Sequence, residues 1–275
     1  MTDFYAVIGN PIHQSKSPLI HGMFAQATGQ DMHYSAIEGP LDGFAGAVDA
    51  FRAAGGLGLN ITTPFKLDAF AYATECSERA QLAGAANAMK FDGKRVLAEN
   101  FDGIGLVRDV VHNLNCPLKA RRVLLLGAGG AARGALLPFL AHEPAELVIA
   151  NRSLDNAQAL VRIAEASGAG PVRGCTYQDL AGQAFDVVFN ATSASLRTEL
   201  PPVPASVFAP GALAYELAYG KGLTPFLRMA RNAGVRQLAD GVGMLAEQAA
   251  EAFEWWRGVR PDTRAVIEKL TVALV

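Results

Sequence analysis

Nineteen consecutive residues, Val123 to Ala141, read VLLLGAGGAARGALLPFLA and carry a single charge, Arg133. By length alone the stretch would admit a membrane helix. Its internal order argues for something else. Four aliphatic residues, a glycine cluster and then a charge within an apolar helical repeat read as a strand, a tight turn and a helix. The turn itself, Gly127-Ala128-Gly129-Gly130-Ala131-Ala132, has the spacing G-x-G-x-x-A. In such a turn the first glycine bends the chain sharply and the second lets backbone approach a pyrophosphate. A small third residue lets helix and strand pack closely. The helix start beyond it offers unpaired N–H groups and a positive dipole end to phosphate. A tight structural connection would use similar residues, but opening a strand–helix–strand unit favours a dinucleotide site.

The second strand of that unit ends Ile149-Ala150-Asn151-Arg152-Ser153. NAD sites place an acidic residue there for the ribose hydroxyls. An arginine instead can pair with a 2′-phosphate, so Arg152 points to NADP(H). The same tripeptide also serves as a polar loop in which Ser153 caps the next helix, and the two uses are compatible.

Short apolar runs alternate with helical patterns along the whole chain. Strands are expected at 4–9, 34–37, 57–61, 123–126, 146–150, from 172, at 185–189, 212–217 and 235–238. Helices are expected from Pro18 behind a Ser17 cap, at 41–54, from Pro64 to about Cys76, from Asp102, at 131–141, 153–166 and 225–233, with two more at the C-terminus. Asp92-Gly93 between 88–91 and 95–98 marks a hairpin. Strands alternating with helices predict parallel sheets with right-handed crossovers, here in two α/β units that meet near residues 101–103.

Composition excludes several classes. With 51% apolar and 18% charged residues, the chain does not have the makeup of a disordered one. Net charge is −2, and the basic residues gather no further than Lys119, Arg121 and Arg122, so no nucleic-acid partner is expected. Three scattered cysteines, Cys76, Cys116 and Cys175, predict neither disulfides nor a metal site and fit a reducing cytoplasm. MTDFYAVIGNP lacks the parts of a signal peptide. Of the histidines, His13, His21, His33, His112 and His142, none has metal-like spacing, and Trp255-Trp256 reads as helix packing.

Polar residues gather at the C-terminal ends of the first unit's expected strands, where open α/β sheets bind ligands. Ser15 and Ser17 follow the first strand, and Asn60, Thr62, Thr63 and Lys66 follow the third. Asn87 precedes the hairpin, and Asn100 and Asp102 follow it. Singly, each has a structural use. Ser17 and Asp102 can cap helices, Lys66 can be a solvated first-turn lysine and Asn87 a turn residue. Together on one edge they outline a pocket for a polar substrate.

The segments IGNPIHQSKSPLIH (8–21), LNITTPFK (59–66), LAGAANAM (82–89), ENFDGIG (99–105), LLGAGGAARG (125–134), ANRS (150–153), FNATSAS (189–195), YGKGLTPFL (219–227) and ADGVGMLAEQAAEAF (239–253) occur in this order. On them the whole chain resembles the NADP-dependent shikimate dehydrogenases of aromatic amino-acid biosynthesis. The resemblance implies a substrate-binding α/β domain over 1–101 and a Rossmann-type NADP-binding domain over 102–240. C-terminal helices over 241–275 would return to the first domain.

It also implies roles. Ser15 and Ser17 match hydroxyls that hold the substrate carboxylate. Thr62, Lys66, Asn87, Asp102, Tyr219 and Gln248 match residues around the ring hydroxyls, with Lys66 and Asp102 as the acid/base pair. For the cofactor, Gly127, Ala128, Gly129, Gly130 and Ala131 match the pyrophosphate turn. Asn151, Arg152, Ser153 and Asn156 fall in the adenosine-phosphate loop. Thr192, Leu217, Gly241 and Met244 match the ribose and nicotinamide lining, and Glu78 a further cofactor contact. No metal is implied.

Four positions depart from the family pattern. Phe101 stands for a frequent threonine, Ala88 for a threonine after the pocket asparagine, Asn156 for a second basic residue and Leu217 for a methionine. The implied reaction is the reversible reduction of 3-dehydroshikimate to shikimate by NADPH, in the cytoplasm, by a monomer or homodimer. A broader quinate/shikimate dehydrogenase using NAD, or a non-catalytic sensor on the same scaffold, are the competing readings.

Overall fold

The computed structural model describes residues 2–274. In chain order the elements of the first half are β1 (Asp3–Gly9), α1 (Ser17–Thr28), β2 (Met32–Glu38), α2 (Phe44–Ala53), β3 (Gly56–Ile61), α3 (Lys66–Tyr72), β4 (Glu75–Cys76), α4 (Glu78–Ala83), β5 (Ala88–Asp92), β6 (Arg95–Glu99) and α5 (Asp102–Arg108). The second half holds β7 (Arg122–Leu126), α6 (Gly130–Leu140), β8 (Glu146–Ala150), α7 (Leu154–Ala166), β9 (Val172–Cys175), β10 (Phe185–Asn190), β11 (Phe208–Glu216), α8 (Pro225–Asn232), β12 (Gln237–Asp240), α9 (Val242–Arg257) and α10 (Arg264–Leu270). The chain divides into two units, one of Met1–Gly105 with Ala246–Val266, the other of Leu106–Leu245 with Ile267–Val275. These divisions fall inside α5, α9 and α10, whereas the resemblance implied boundaries at 101/102 and 240/241.

The first unit carries a six-stranded sheet ordered β2-β1-β3-β5-β6-β4. β1 runs parallel to β2 and β3, but β5 is antiparallel to both β3 and β6, so this sheet is mixed, joining parallel crossovers to the hairpin that the sequence predicts. The turn of that hairpin is Gly93-Lys94, one residue on from the Asp92-Gly93 pair that marks it in the sequence, and a two-residue turn joins β5 only to an antiparallel neighbour. The antiparallel insertion has a consequence for the pocket. It brings the start of β5 to the C-terminal edge shared by β1 and β3, with Asn60 paired to Ala88, and Ala88 in turn to Glu99 at the end of β6. One face of the sheet is covered by Ile8, Phe44, Leu59, Phe65 and Met89, the other by Tyr5, Ala88, Phe101, Ala252 and Trp256.

Sequence periodicity ran α3 on to Cys76 and missed α4. The helix stops at Tyr72 because the chain becomes extended at Ala73, and Glu75–Cys76 then pairs with Leu97–Ala98 at the sheet edge. Ser77 starts α4, its Oγ accepting the Ala80 N–H at 3.1 Å. Ser17, expected as a cap, is the first residue of α1 and makes no capping bond. β12 begins two residues later than expected because the Val235 N–H still bonds the Ala230 carbonyl at the end of α8.

The second unit's sheet is ordered β12-β11-β10-β7-β8-β9 and is parallel throughout. This is the doubly wound Rossmann order, with its switch point between β7 and β10. Alternate residues of β7 serve opposite faces, Val123 and Leu125 in one core, Leu124 and Leu126 in the other. The apolar stretch of residues 123–141 is thus a strand, a turn and α6, and no helix among the described residues is long and apolar enough to cross a membrane.

Candidate active site and cofactor cradle

In the first unit, Lys66 opens α3 and Asp102 opens α5. The Lys66 Nζ lies 2.6 Å from Asp102 Oδ2. Asp102 Oδ1 accepts from Asn87 Nδ2 at 2.8 Å, and the same nitrogen lies 3.3 Å from Gln248 Oε1 on α9. Asn87 Oδ1 accepts the Phe101 N–H at 2.9 Å, so one buried amide, 3% exposed, ties the end of the β6 strand to the acid/base candidates. Asp102 does not cap its helix. Its own N–H bonds Asn100 Oδ1 at 3.1 Å and its carboxylate is given wholly to Lys66 and Asn87. The approach of Gln248 demands glycine at 105, where a Cβ would lie 2.7 Å from the Gln248 amide nitrogen.

Ser15 and Ser17 sit between β1 and α1, the Ser17 N–H donating to Ser15 Oγ at 3.3 Å. Thr62 follows β3, and its N–H bonds the Ile8 carbonyl at 3.0 Å, which fixes this turn against the end of β1. The family's threonine at 101 is here a phenylalanine whose ring is buried against Trp255, with ring centroids 5.7 Å apart. That position therefore contributes packing and a backbone donor, and leaves the Asp102 contacts in place.

Two further residues of this unit were given no site role by the sequence reading. Tyr34 on β2 donates its hydroxyl to Asn60 Oδ1 at 2.7 Å, and His21 on α1 stacks on the Tyr34 ring at 4.2 Å. Burial lowers the His21 pKa to about 3, only partly offset by the Asn60 side chain, so this imidazole is neutral. Tyr34 reaches Asn60 from β2 across the intervening β1, a spatial relation that no local sequence pattern carries.

The second unit builds its cradle from backbone. Gly127 has φ 105, and a Cβ there would meet the Ala191 carbonyl at 3.2 Å, so only glycine suits this turn. Gly129 and Gly130 differ: a Cβ on either would meet nothing within 4 Å. No protein atom fills that space, and α6 starts beside it with no side-chain cap on its first N–H groups. Ala132 is fully buried where helix meets strand. Open space before an uncapped 11-residue helix is what a pyrophosphate needs, so the residues present fit a dinucleotide.

Around the same strand ends, Asn151 Nδ2 holds the Ser153 carbonyl at 3.0 Å, and Arg152 and Asn156 stand exposed. Ser153 is at the N-cap of α7 without a capping bond. Thr192 follows β10. Leu217 follows β11, and a Cβ on Gly241 would strike its carbonyl oxygen at 2.2 Å. The Met244 N–H donates to the Tyr215 hydroxyl at 3.3 Å. Thr192, Leu217, Gly241 and Met244 thus share the C-terminal edge of this sheet. Tyr219 belongs to this second unit, and Glu78 to the first, exposed at the start of α4. Among the described residues no group of three or more His, Cys, Asp or Glu side chains is placed to hold a metal.

Residues 7–89 match the family described as shikimate dehydrogenase substrate binding domain, and 109–198 match shikimate / quinate 5-dehydrogenase. Residues 241–271 match the shikimate 5′-dehydrogenase C-terminal domain. A shikimate dehydrogenase (NADP(+)) of Aromatoleum aromaticum is 57% identical over 98% of this chain and 96% of its own. The chain belongs to the shikimate dehydrogenase family. Among solved structures, an Ael1 enzyme from Pseudomonas putida is 64% identical, with a TM-score of 0.96 over 100% of both chains. The shikimate 5-dehydrogenase of Thermus thermophilus, solved with NADP(H) and shikimate, is 31% identical, with a TM-score of 0.84 over 97% of this chain and 98% of that one.

Proposed function

We propose that this protein catalyses the reversible, NADPH-dependent reduction of 3-dehydroshikimate to shikimate. The observation that carries the reading is the Lys66 ammonium held 2.6 Å from Asp102, with Asn87 and Gln248 joined to the same cluster. Reducing a ring carbonyl requires a hydride on carbon and a proton on oxygen. Bound NADPH supplies the hydride. Lys66 stabilises the negative charge growing on the carbonyl oxygen and delivers the proton, becoming a neutral amine that solvent reprotonates. Asp102 holds that ammonium in place and shares the substrate hydroxyl. Ser15 and Ser17 hold the carboxylate, and Thr62, Asn87, Gln248 and Tyr219 bond the ring hydroxyls.

For the cofactor, Gly127 to Ala131 cradle the pyrophosphate and Asn151, Arg152, Ser153 and Asn156 the adenosine phosphate. Thr192, Leu217, Gly241 and Met244 line the nicotinamide end, with Glu78 as a further contact. Three free cysteines support work in the cytoplasm, where we expect a monomer or homodimer; light scattering on the eluted protein settles which. The activity is tested by absorbance at the NADPH wavelength with shikimate or quinate, each paired with NADP⁺ or NAD⁺. Shikimate with NADP⁺ should give the fastest reduction. A faster reaction with quinate or NAD⁺ would favour the broader dehydrogenase, and none with any pair the sensor.

A further inference from the structure

Two buried side chains in the second unit belong to no role assigned above. Asn190 ends β10 and Glu216 ends β11, paired in register on neighbouring strands, and neither is exposed to solvent. Glu216 Oε2 accepts from Asn190 Nδ2 at 3.0 Å and from the Thr224 hydroxyl at 3.1 Å, and Oε1 accepts the Ala218 N–H at 3.4 Å. Asn190 Oδ1 accepts from the Thr192 N–H at 3.2 Å and the Thr192 hydroxyl at 2.7 Å. The Leu217 N–H bonds the Asn190 carbonyl at 3.1 Å.

The chemistry of these groups gives the chain of bonds a direction. Glu216 accepts in each of its bonds given above and the Thr192 N–H can only donate, so the two together turn the Asn190 NH₂ inward and its carbonyl toward Thr192. The Thr192 proton is then committed to Asn190. The Ala194 N–H, at 3.3 Å, takes one of the hydroxyl's two lone pairs and leaves the other. We infer that Glu216 is a positioning residue for the cofactor: through Asn190 it makes the Thr192 hydroxyl a hydrogen-bond acceptor and holds the loops carrying Thr192 and Leu217 together. The ligand group it recognises is a donor, such as a ribose hydroxyl or the carboxamide NH₂. The inference rests on the proposed cofactor reading and goes beyond it, because no contact with NADPH is asked of Glu216 itself.

Glu216→Gln tests it on the full chain. The substitution keeps shape but gives the buried site a donor, which frees the Asn190 amide to flip and Thr192 to lose its fixed sense. Losing one oriented bond should weaken NADPH binding about tenfold, read by quenching of protein fluorescence and by the KM for NADPH. The KM for shikimate should stay within about twofold, or about 0.4 kcal/mol, since the bond that is lost faces the cofactor and not the substrate. The double variant Asn190→Asp with Glu216→Gln restores one donor facing one carboxylate, and the Asp still accepts from Thr192. It should return NADPH affinity to within about threefold of wild type, well inside one oriented bond.

Unchanged affinity in the single variant, or an equal rise in both KM values, overturns the inference. If the single variant does not fold, the double carries the test: affinity near wild type supports the inference, and a tenfold loss overturns it. Wild-type protein that binds NADPH yet reduces no substrate breaks the proposed reaction and leaves this comparison standing. Wild-type protein that binds no NADPH overturns both.

Discussion

The two units present their candidate sites in opposite ways. In the first, the site is made of side chains already bonded to one another: Lys66 to Asp102, Asp102 to Asn87, Asn87 to Gln248. In the second, the cradle is mostly backbone and open space, at Gly129, Gly130 and the uncapped start of α6. Side-chain networks suit the unit that must move a proton at a defined atom, since that needs a specific titratable group. Backbone suits the unit that must hold phosphates, because helix N–H groups and glycine do so without one. Substitutions in the Lys66 cluster should therefore act on chemistry, and those in the backbone cradle and its Arg152 loop on cofactor affinity.

The largest effect is expected at Lys66. Lys66→Ala removes the proton donor, and kcat should fall by about 10²- to 10⁴-fold with little change in either KM. Steady-state rates with saturating NADP⁺ measure it. Near-normal turnover would break the comparison at its centre, because the first unit would then only bind.

Arg152→Ala attacks the other side of the contrast. Arg152 is the one cation among the residues assigned to the adenosine-phosphate loop, and Asn156 stands exposed where the family often adds a second. Loss of a charge-assisted contact to the 2′-phosphate should raise the KM for NADPH about 10- to 100-fold. Activity with NADH, which lacks that phosphate, should not change. A parallel loss with NADH would mean Arg152 shapes the loop rather than reading the phosphate. Asn156→Arg should sharpen the preference in the opposite direction.

The same contrast explains what could be read in advance. The turn from Gly127 to Ala132 is local: six consecutive residues between an apolar strand and a helix carry the whole geometry, so spacing sufficed. Lys66, Asn87 and Asp102 were legible as polar residues at strand ends, and the resemblance assigned their roles. The bond between Asn87 and Gln248 joins residues 161 positions apart and depends on how α9 returns to the first unit. No local pattern holds that. The Glu216 network was hidden for a related reason. A glutamate at the end of an apolar strand looks like a solvated boundary until the register sets it beside Asn190. β4 and α4 were lost because a two-residue edge strand has no period of its own, although Ser77 before Glu78 was a readable helix start.

The smallest effect concerns what lies beneath the first site. His21 is fully buried and stacked on Tyr34, which bonds Asn60. Its folded-state pKa of about 3 lies below the ordinary histidine value of 6.5, so below pH 6.5 the unfolded chain binds a proton that the folded one refuses. Stability from this group is therefore whole above pH 6.5 and is lost as pH falls toward 3, by about 1.4 kcal/mol at pH 5.5. His21→Phe keeps an aromatic ring in the stack and removes the titration. Urea unfolding at pH 7.5 and 5.5 should show wild type losing about 1.4 kcal/mol more than the variant between those conditions. Equal losses would mean the imidazole takes up its proton without leaving its place. The aromatic floor under the side-chain site would then not be the source of acid sensitivity that separates it from a site made of backbone.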